Sequence, residues 1–285
     1  MVNVTVTARA SAIDPNAPGE VVFAPPLGAA GRVVLQSVSA YLLEVHGGWP
    51  AGHRIEFTFS APVAADDAAA AGLAVAALLD SMFAGWEADP SVAVLGHLQA
   101  DGAIQNVTSA MARITAASRG GASRILIADA TSSEAADCLV NEGIIGFSRM
   151  QILAVKDFEE LRMMAAKKLE PEVAAALQRF GDVQRAFVAK TNREDEALAQ
   201  GEVQDALRAT LAKWPNHVTA RLLLGRGMYR PVPALGDSTL DHPSVRRCRL
   251  TCLAGLARPQ WRASLGHGTY ATCPMIKRSP VGARS

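Results

Sequence analysis

The sequence predicts an α/β domain that is followed by a shorter, purely helical segment. Two patterns carry this prediction: strand-like apolar runs alternate with helical runs up to residue 168, and only helical periodicity follows from residue 170. With 285 residues, of which 49% are hydrophobic and 19% charged, the chain can form one large domain or two small ones with a real core. These values exclude a disordered chain and a mini-protein.

The first half of the α/β domain is predicted to contain two strands and two helices. Residues 21–23 form a short strand, and residues 54–59 alternate apolar and polar side chains as a strand with one covered face does. Apolar residues recur at helical spacing over 32–46, where two glycines then stop the helix. The longest apolar stretch, residues 68–86, is mostly alanine and contains Asp80, so it predicts a buried helix rather than a membrane span.

Strands and helices continue to alternate in the second half of this domain. The strands are expected at residues 92–98, 103–107, 124–128 and 151–155, and the helices at about 108–118, 134–142 and 158–168. A hydroxyl of Thr108 or Ser109 is expected to cap the first of these helices, and Asp157 the last, because side-chain oxygens there accept from the free amides of the first turn. The aromatic residues Trp49, Phe57, Phe59 and Trp86 are assigned to packing.

The predicted domain boundaries place an N-terminal lead at 1–20, the α/β domain at 21–168 and a helical extension at 169–235. Helices are expected at residues 171–188, 194–213 and 218–224. The last two helices are separated by a turn at Trp214-Pro215-Asn216-His217. Such a helix, turn and second helix resemble half of a tetratricopeptide-type hairpin. A solenoid needs at least three such repeats, so helices that dock on the α/β domain or on a partner chain are the alternative.

The final segment, residues 236–285, differs in composition from the rest of the chain. Residues 242–285 hold eight of the 28 Lys and Arg residues and none of the 27 Asp and Glu residues, which leaves the preceding residues with a net charge of −7. No helical or strand periodicity is visible there. The segment is typical of a disordered tail or of a shifted reading frame, and a basic arm that contacts acidic surfaces is the functional alternative.

Cysteine usage predicts neither a disulfide framework nor a metal centre. Three of the four cysteines, Cys248, Cys252 and Cys273, lie in the final segment. Cys248 and Cys252 together with His267 lack the second half of a zinc ligand set, so no metal is predicted. Cys138 lies on a predicted helix face and is expected in the core.

Whole-chain properties exclude several further classes. A net charge of +1 gives no general electrostatic reason to expect nucleic acid or a membrane surface as partner. The chain has no GxxxxGK[ST] loop, so neither ATP dependence nor any other cofactor is expected. Residues 1–20 lack the pattern of a secretory signal, so the cytoplasm is the default compartment, although a start site placed too far downstream would leave it unknown.

Several motifs between Gly31 and Ala165 follow one another in a fixed order. Leu35-Gln36-Ser37-Val38 precedes the strand at 54–59, and residues 65–72, Ala-Asp-Asp-Ala-Ala-Ala-Ala-Gly, open the alanine-rich helix. Leu95-Gly96-His97, Asp101-Gly102 and the run from Ile104 to Arg113 come next. This order resembles that of the proteolytic domain of Lon proteases. The resemblance covers about half of the chain and implies a Lon-type fold.

The resemblance assigns the two positions of the family's Ser/Lys dyad. The family's serine motif, Pro-Lys-Asp-Gly-Pro-Ser-Ala-Gly, corresponds to residues 65–72, where Asp67, Ala71 and Gly72 agree but Ala70 replaces the serine. The family's catalytic lysine corresponds to Met111. A neutral amine must take the hydroxyl proton before the oxygen attacks a carbonyl, and neither alanine nor a thioether can act in this way.

The resemblance therefore implies a Lon-like domain without peptidase activity that binds a protein or peptide or has a role in assembly. Because Lon proteolytic domains form rings, it also implies a homo-oligomer. An ATP-independent peptidase or hydrolase with a relocated nucleophile is a second hypothesis, with Thr108 or Ser109 attacking, His97 as base and Asp101 as its orienter. An interaction protein that acts through its C-terminal helices is a third.

Overall fold

The computed structural model describes residues 6–24, 26, 28–49, 51–61, 68–189 and 194–228. They form a mixed α/β structure with small sheets, which confirms the predicted fold class at this coarse level. Two compact units are present. The described part of the first runs to Thr131 and includes Leu153–Leu169, and that of the second contains Ser132–Ile152 and the helices from Glu170 onwards. The predicted tail, residues 236–285, lies outside the described residues.

A three-stranded sheet in the first unit has the order β1, β3, β2. β1 (Val6–Ala12) runs antiparallel to β3 (His53–Phe59), and β2 (Glu20–Ala24) runs parallel to β3. Every second residue of β3 from Ile55 onwards is buried, as its alternation predicts. No strand is predicted at β1, because only Val6 is buried there and backbone pairing rather than an apolar stripe holds the strand.

Two helices of the first unit, α1 (Ala29–His46) and α2 (Ala68–Ala84), pack on each other close to their predicted positions. α1 ends at Gly47, whose φ of 73° is a left-handed conformation that glycine adopts at low cost. At Gly72 of α2, an added Cβ would lie 4.0 Å from the Cα of Val34. The small residues of α2 thus allow a close approach of the two helices.

The predicted strand over residues 92–98 is divided into two strands. β4 (Val92–Leu95) is fully buried, whereas β5 (His97–Leu98) turns away at Gly96 and pairs antiparallel with β6 (Ile104–Gln105). The intervening turn contains Asp101-Gly102 as predicted, and Gly102 has a φ of 83°. The division was not predicted because residues 92–98 form one largely apolar run, interrupted by Gly96 and His97.

A second sheet has the order β4, β7, β8. β7 (Arg124–Ala128) and β8 (Ile152–Val155) are buried at every residue, and β7 is parallel to β4. Continuous apolar runs of this kind are typical of strands that are covered on both faces. Both strands are thus confirmed.

Three helices follow the strands of this region: α3 (Ala110–Arg119), α4 (Ser132–Ser148) and α5 (Phe158–Ala165). The predicted cap of α5 is confirmed, because Oδ1 of Asp157 accepts from the backbone N–H of Glu160 at 2.9 Å. α3 begins differently from its prediction.

A buried ion pair fixes the start of β7 in the first unit. The guanidinium of Arg124 donates to Oδ2 of Asp89 at 2.5 Å and to the carbonyl oxygen of Met164 at 2.9 Å. Burial alone raises the pKa of the Asp89 carboxyl, but hydrogen bonds from Ser91 and the charge of Arg124 outweigh burial and lower the pKa below its ordinary value. The pair therefore ties β7 to the end of α5.

The second unit consists of α4 and four further helices. They are α6 (Pro171–Ala189), α7 (Glu194–Leu198), α8 (Gly201–Lys213) and α9 (Val218–Met228). α4 bends at Gly143 and packs on α6 and α9, so it clusters with these helices rather than with the rest of residues 21–168. Residues 194–213 were predicted as one helix, but the chain breaks into α7 and α8. None of the described helices is both long and apolar enough to span a membrane.

Gly96 tests how tightly β5 is packed. A Cβ at this position would overlap Cγ2 of Ile104 and lie 3.0 Å from Cδ2 of Leu73 in α2. We expect Gly96→Ala to lower the free energy of unfolding by about 1–3 kcal/mol, because overpacking forces neighbouring groups apart. The measurement is urea unfolding of the whole chain.

Gly72→Ala is the matched control, since its added Cβ meets only the ordinary 4.0 Å contact with Val34. This variant is expected to keep the native stability or to gain up to about 1 kcal/mol from lower backbone entropy in the unfolded state. Equal stability of the two variants would contradict the tight packing at Gly96.

Candidate functional site

The residues predicted from the dyad positions lie at the starts of two helices. Ala70 and Gly72 belong to the first turns of α2, and Met111 is the second residue of α3. Asp67 lies outside the described residues. Met111 is 36% exposed. A partly exposed thioether offers apolar surface and a weak acceptor but no proton-accepting amine at neutral pH.

The β5–β6 hairpin holds His97 and Asp101, but it does not pair them. Nδ1 of His97 lies 3.4 Å from Nε2 of Gln99, and Oδ1 of Asp101 accepts from the backbone N–H of Ala103 at 3.0 Å. Asp101 therefore shapes the turn. Within the described part of the chain, no hydrogen bond joins it to the imidazole that it was expected to orient.

The start of α3 differs from its prediction. Ser109 occupies the position before the helix with φ 58° and ψ 39°, and its hydroxyl makes no capping hydrogen bond. The expectation that Thr108 or Ser109 caps α3 through its hydroxyl is therefore wrong for Ser109. An ordinary capping residue is extended, and the left-handed backbone of Ser109 departs from that geometry. Nε of the buried Arg113 instead donates to the carbonyl oxygen of Thr108 at 2.9 Å.

Both hydroxyl side chains at this helix start are exposed, and neither is hydrogen-bonded to His97 within the described residues. The structure brings α2 and β5 together, since Leu73 lies against Gly96. It also joins the end of β6 to the turn after β7, because Thr131 donates to Oδ1 of Asn106 at 2.9 Å. The framework is thus connected, although the four predicted residues His97, Asp101, Thr108 and Ser109 do not form a preassembled base and nucleophile.

A polar cluster that was not predicted from the sequence surrounds Asp80 in the first unit. Asp80 of α2 is only 1% exposed, and its carboxylate has partners from three parts of the chain. Oδ1 lies 2.8 Å from Nε2 of His46, Oδ2 accepts from Nε1 of Trp86 at 2.7 Å, and the guanidinium of Arg162 lies 3.8 Å from Oδ2. The one pattern that pointed to the cluster is a lone acidic residue in an alanine-rich helix.

Tyr41 of α1 completes this cluster. Burial raises the pKa of its phenol well above the ordinary range, the negative charge of Asp80 raises it further, and the charge of Arg162 opposes both effects. The ring packs on Phe158 with a centroid distance of 4.6 Å. An added Cβ on Gly102 would lie 3.6 Å from Cε2 of Tyr41, so the hairpin turn lies directly over the cluster.

The cluster is built to hold one charge rather than to carry out chemistry on a ligand. Its carboxylate contacts an indole and an imidazole and faces a guanidinium. Of these partners, His46 and Arg162 reach the surface, with 21% and 24% of their side chains exposed. Trp86, assigned to packing from the sequence, is buried as expected but also donates this hydrogen bond.

The cysteines and the possible metal ligands considered from the sequence remain to be placed. Cys138 of α4 is fully buried, which confirms its expected place in the core. Within the described ranges, no group of three or more His, Cys, Asp and Glu side chains could hold a metal ion. Cys248, Cys252 and His267 lie outside those ranges.

Comparison with known proteins adds no family to this description. No protein-family model matches the chain, and no curated protein matches it significantly in sequence.

Asp80 gives the second prediction. Asp80→Asn keeps the shape of the side chain but removes the charge that His46 and Arg162 face. We expect a loss of about 2 kcal/mol in the free energy of unfolding, because the amide of asparagine replaces a carboxylate acceptor by a donor and leaves the partly buried guanidinium of Arg162 without its counter-charge. Urea unfolding followed by tryptophan fluorescence measures the loss.

The control is Glu44→Gln on α1, which removes a charge from an exposed position in the same unit. Its effect is expected to stay within about 0.5 kcal/mol. A comparable loss in both variants would mean that net charge rather than the buried cluster determines stability.

Proposed function

We propose that this protein is a Lon-like domain that has lost peptidase chemistry and has a role in binding a protein or peptide or in assembly. The observation that carries the proposal is the start of α3. Met111 is the second residue of this helix, at the position that the sequence resemblance assigns to the family's lysine. His97 has Gln99 and Asp101 has the backbone of Ala103 as hydrogen-bond partner, rather than a hydroxyl of Thr108 or Ser109.

The scaffold around these positions supports the same proposal. α2 packs against α1 and β5, and the strands β4, β7 and β8 are completely buried. A protein that had simply degenerated would not be expected to keep this packing or a buried charge with three partners. A packed framework in which alanine and methionine occupy the two assigned dyad positions favours a role that depends on shape rather than on bond cleavage.

The hypothesis of a relocated nucleophile has less support. Thr108 and Ser109 are exposed, as a nucleophile must be, but an aliphatic hydroxyl needs an adjacent base to attack at neutral pH. His97, its expected base, has Gln99 as its partner, and Asp101 is engaged in the turn. A serine peptidase of this kind would have to assemble its site only when substrate binds.

The third prediction restores the dyad in the full chain. The natural protein is expected to leave an unstructured protein substrate intact and to resist a fluorophosphonate probe, while Ala70→Ser combined with Met111→Lys is expected to hydrolyse the substrate. Hydrolysis is followed by release of labelled peptides, with Ala70→Ser plus Met111→Leu as the matched control that lacks the amine.

Two outcomes would contradict the proposal. A folded but inactive double variant would remove the support for a Lon-type site. Hydrolysis or labelling by the natural chain that disappears in Thr108→Ala or Ser109→Ala would establish the relocated nucleophile instead.

Binding and assembly are tested directly on the natural chain. Sedimentation velocity is expected to show a species heavier than the 29.9 kDa of one chain, or, with an unstructured protein added, a stable complex. A monomer that binds no such protein would exclude the proposed role.

A further inference from the structure

The second unit contains a buried histidine whose surroundings suit only its neutral form. His217 precedes α9, and its side chain is fully inaccessible to solvent. The ring packs on Phe180 of α6 with a centroid distance of 4.3 Å. Nδ1 accepts from the backbone N–H of Ala220 at 3.2 Å, so the imidazole acts as the N-terminal cap of α9.

Because Nδ1 accepts a hydrogen bond, the proton of the neutral ring is on Nε2. Nε2 is buried and has no hydrogen-bond partner among the described residues. A second proton on the ring would turn Nδ1 into a donor that faces another donor, the Ala220 N–H, and would leave a positive charge without an acceptor at either nitrogen.

The start of α9 is also held by Thr219, two residues after the histidine. Oγ1 of Thr219 donates to the carbonyl oxygen of Met150 at 2.6 Å and accepts from the backbone N–H of Ile152 at 3.0 Å. Thr219 is fully buried. The first turn of α9 is therefore fastened both by its own cap and by residues that lead into β8.

No charged group in the described part of this unit compensates a proton on His217. The charged side chains of the surrounding helices are all exposed or half-buried, and none is hydrogen-bonded to the ring. They are Glu134, Asp137, Glu142 and Arg149 on or after α4; Glu172, Arg179, Asp182 and Arg185 on α6; Asp195 and Glu196 on α7; Glu202, Asp205, Arg208 and Lys213 on α8; and Arg221 and Arg226 on α9.

We propose that His217 is an acid-sensitive latch: protonation of its ring removes the cap of α9 and releases the Thr219 contacts, so that this part of the second unit opens reversibly at low pH. The device depends only on the second unit and is independent of the proposed Lon-like function.

The direction of the effect follows from proton binding. Burial lowers the pKa of His217 in the folded protein from 6.5 to about 3. Between these two values the open state binds the proton and the closed state does not, so the closed state loses stability as pH falls below 6.5. The opening equilibrium should rise roughly tenfold per pH unit, or about 100-fold at pH 4.5.

Amide hydrogen exchange on the full chain provides the test. The protection factors of Ala220 and Ile152, each corrected for the intrinsic exchange rate, are expected to fall about 100-fold between pH 7 and pH 4.5. His217→Asn should lack this fall, because an asparagine oxygen caps a helix and does not titrate. His53→Asn, which removes an exposed histidine of β3, should leave the fall unchanged.

A parallel loss of protection in the natural chain and in His217→Asn would overturn the proposal, since general acid unfolding would then explain it. If the asparagine variant does not fold, the ring proton of His217 in the natural chain decides by NMR. No change in its chemical shift between pH 7 and pH 5 while the unit is closed supports the latch, and an ordinary titration near pH 6.5 in the folded protein excludes it.

Discussion

The buried carboxylate of Asp80 is the interaction on which the arrangement of the first unit depends. Its partners come from α1, from the residues after α2 and from α5, so one negative charge fixes three separate parts of the chain. Placing an unpaired charge in the interior costs far more than a hydrogen bond returns, so the alternative arrangements that separate these partners are strongly disfavoured. Apolar contacts are not directional, so they alone would allow α1 and the alanine-rich α2 to shift along each other. The directional hydrogen bonds of the Asp80 cluster oppose such a shift.

The same constraint reaches the hairpin that carries the candidate site. Tyr41 belongs to the Asp80 cluster, and the turn at Gly102 lies against its ring. The backbone N–H of Phe158, whose ring also packs on Tyr41, donates to the carbonyl oxygen of Gly102 at 2.9 Å. The turn between β5 and β6 is therefore held by contacts with Tyr41 and Phe158. Hydrogen bonds among His97, Asp101 and the hydroxyls at the start of α3 do not hold it.

Sequence patterns predicted those elements in which the order of apolar and polar residues reports which faces are buried. The alternation in β3, the apolar runs of β7 and β8 and the helical spacing in α1 each report a local pattern of covered faces. β1 and the left-handed Ser109 were missed because both are decided by distant partners or by backbone geometry that residue type does not reveal. For the candidate site, the predicted hydrogen bonds were wrong, since those of His97 and Asp101 go to near neighbours in the chain, and the assignment of the dyad positions stays a prediction.

Two buried polar groups, Asp80 in the first unit and His217 in the second, differ in the charge that their surroundings favour. The carboxylate of Asp80 faces an indole N–H, an imidazole nitrogen and a guanidinium, all of which can stabilise a negative charge. His217 has the opposite character, because its single hydrogen bond requires the ring to be neutral and its second nitrogen has no acceptor in the described chain. The acid sensitivity that we propose for the second unit follows from this pattern, because a second proton on the ring would abolish the hydrogen bond that caps α9.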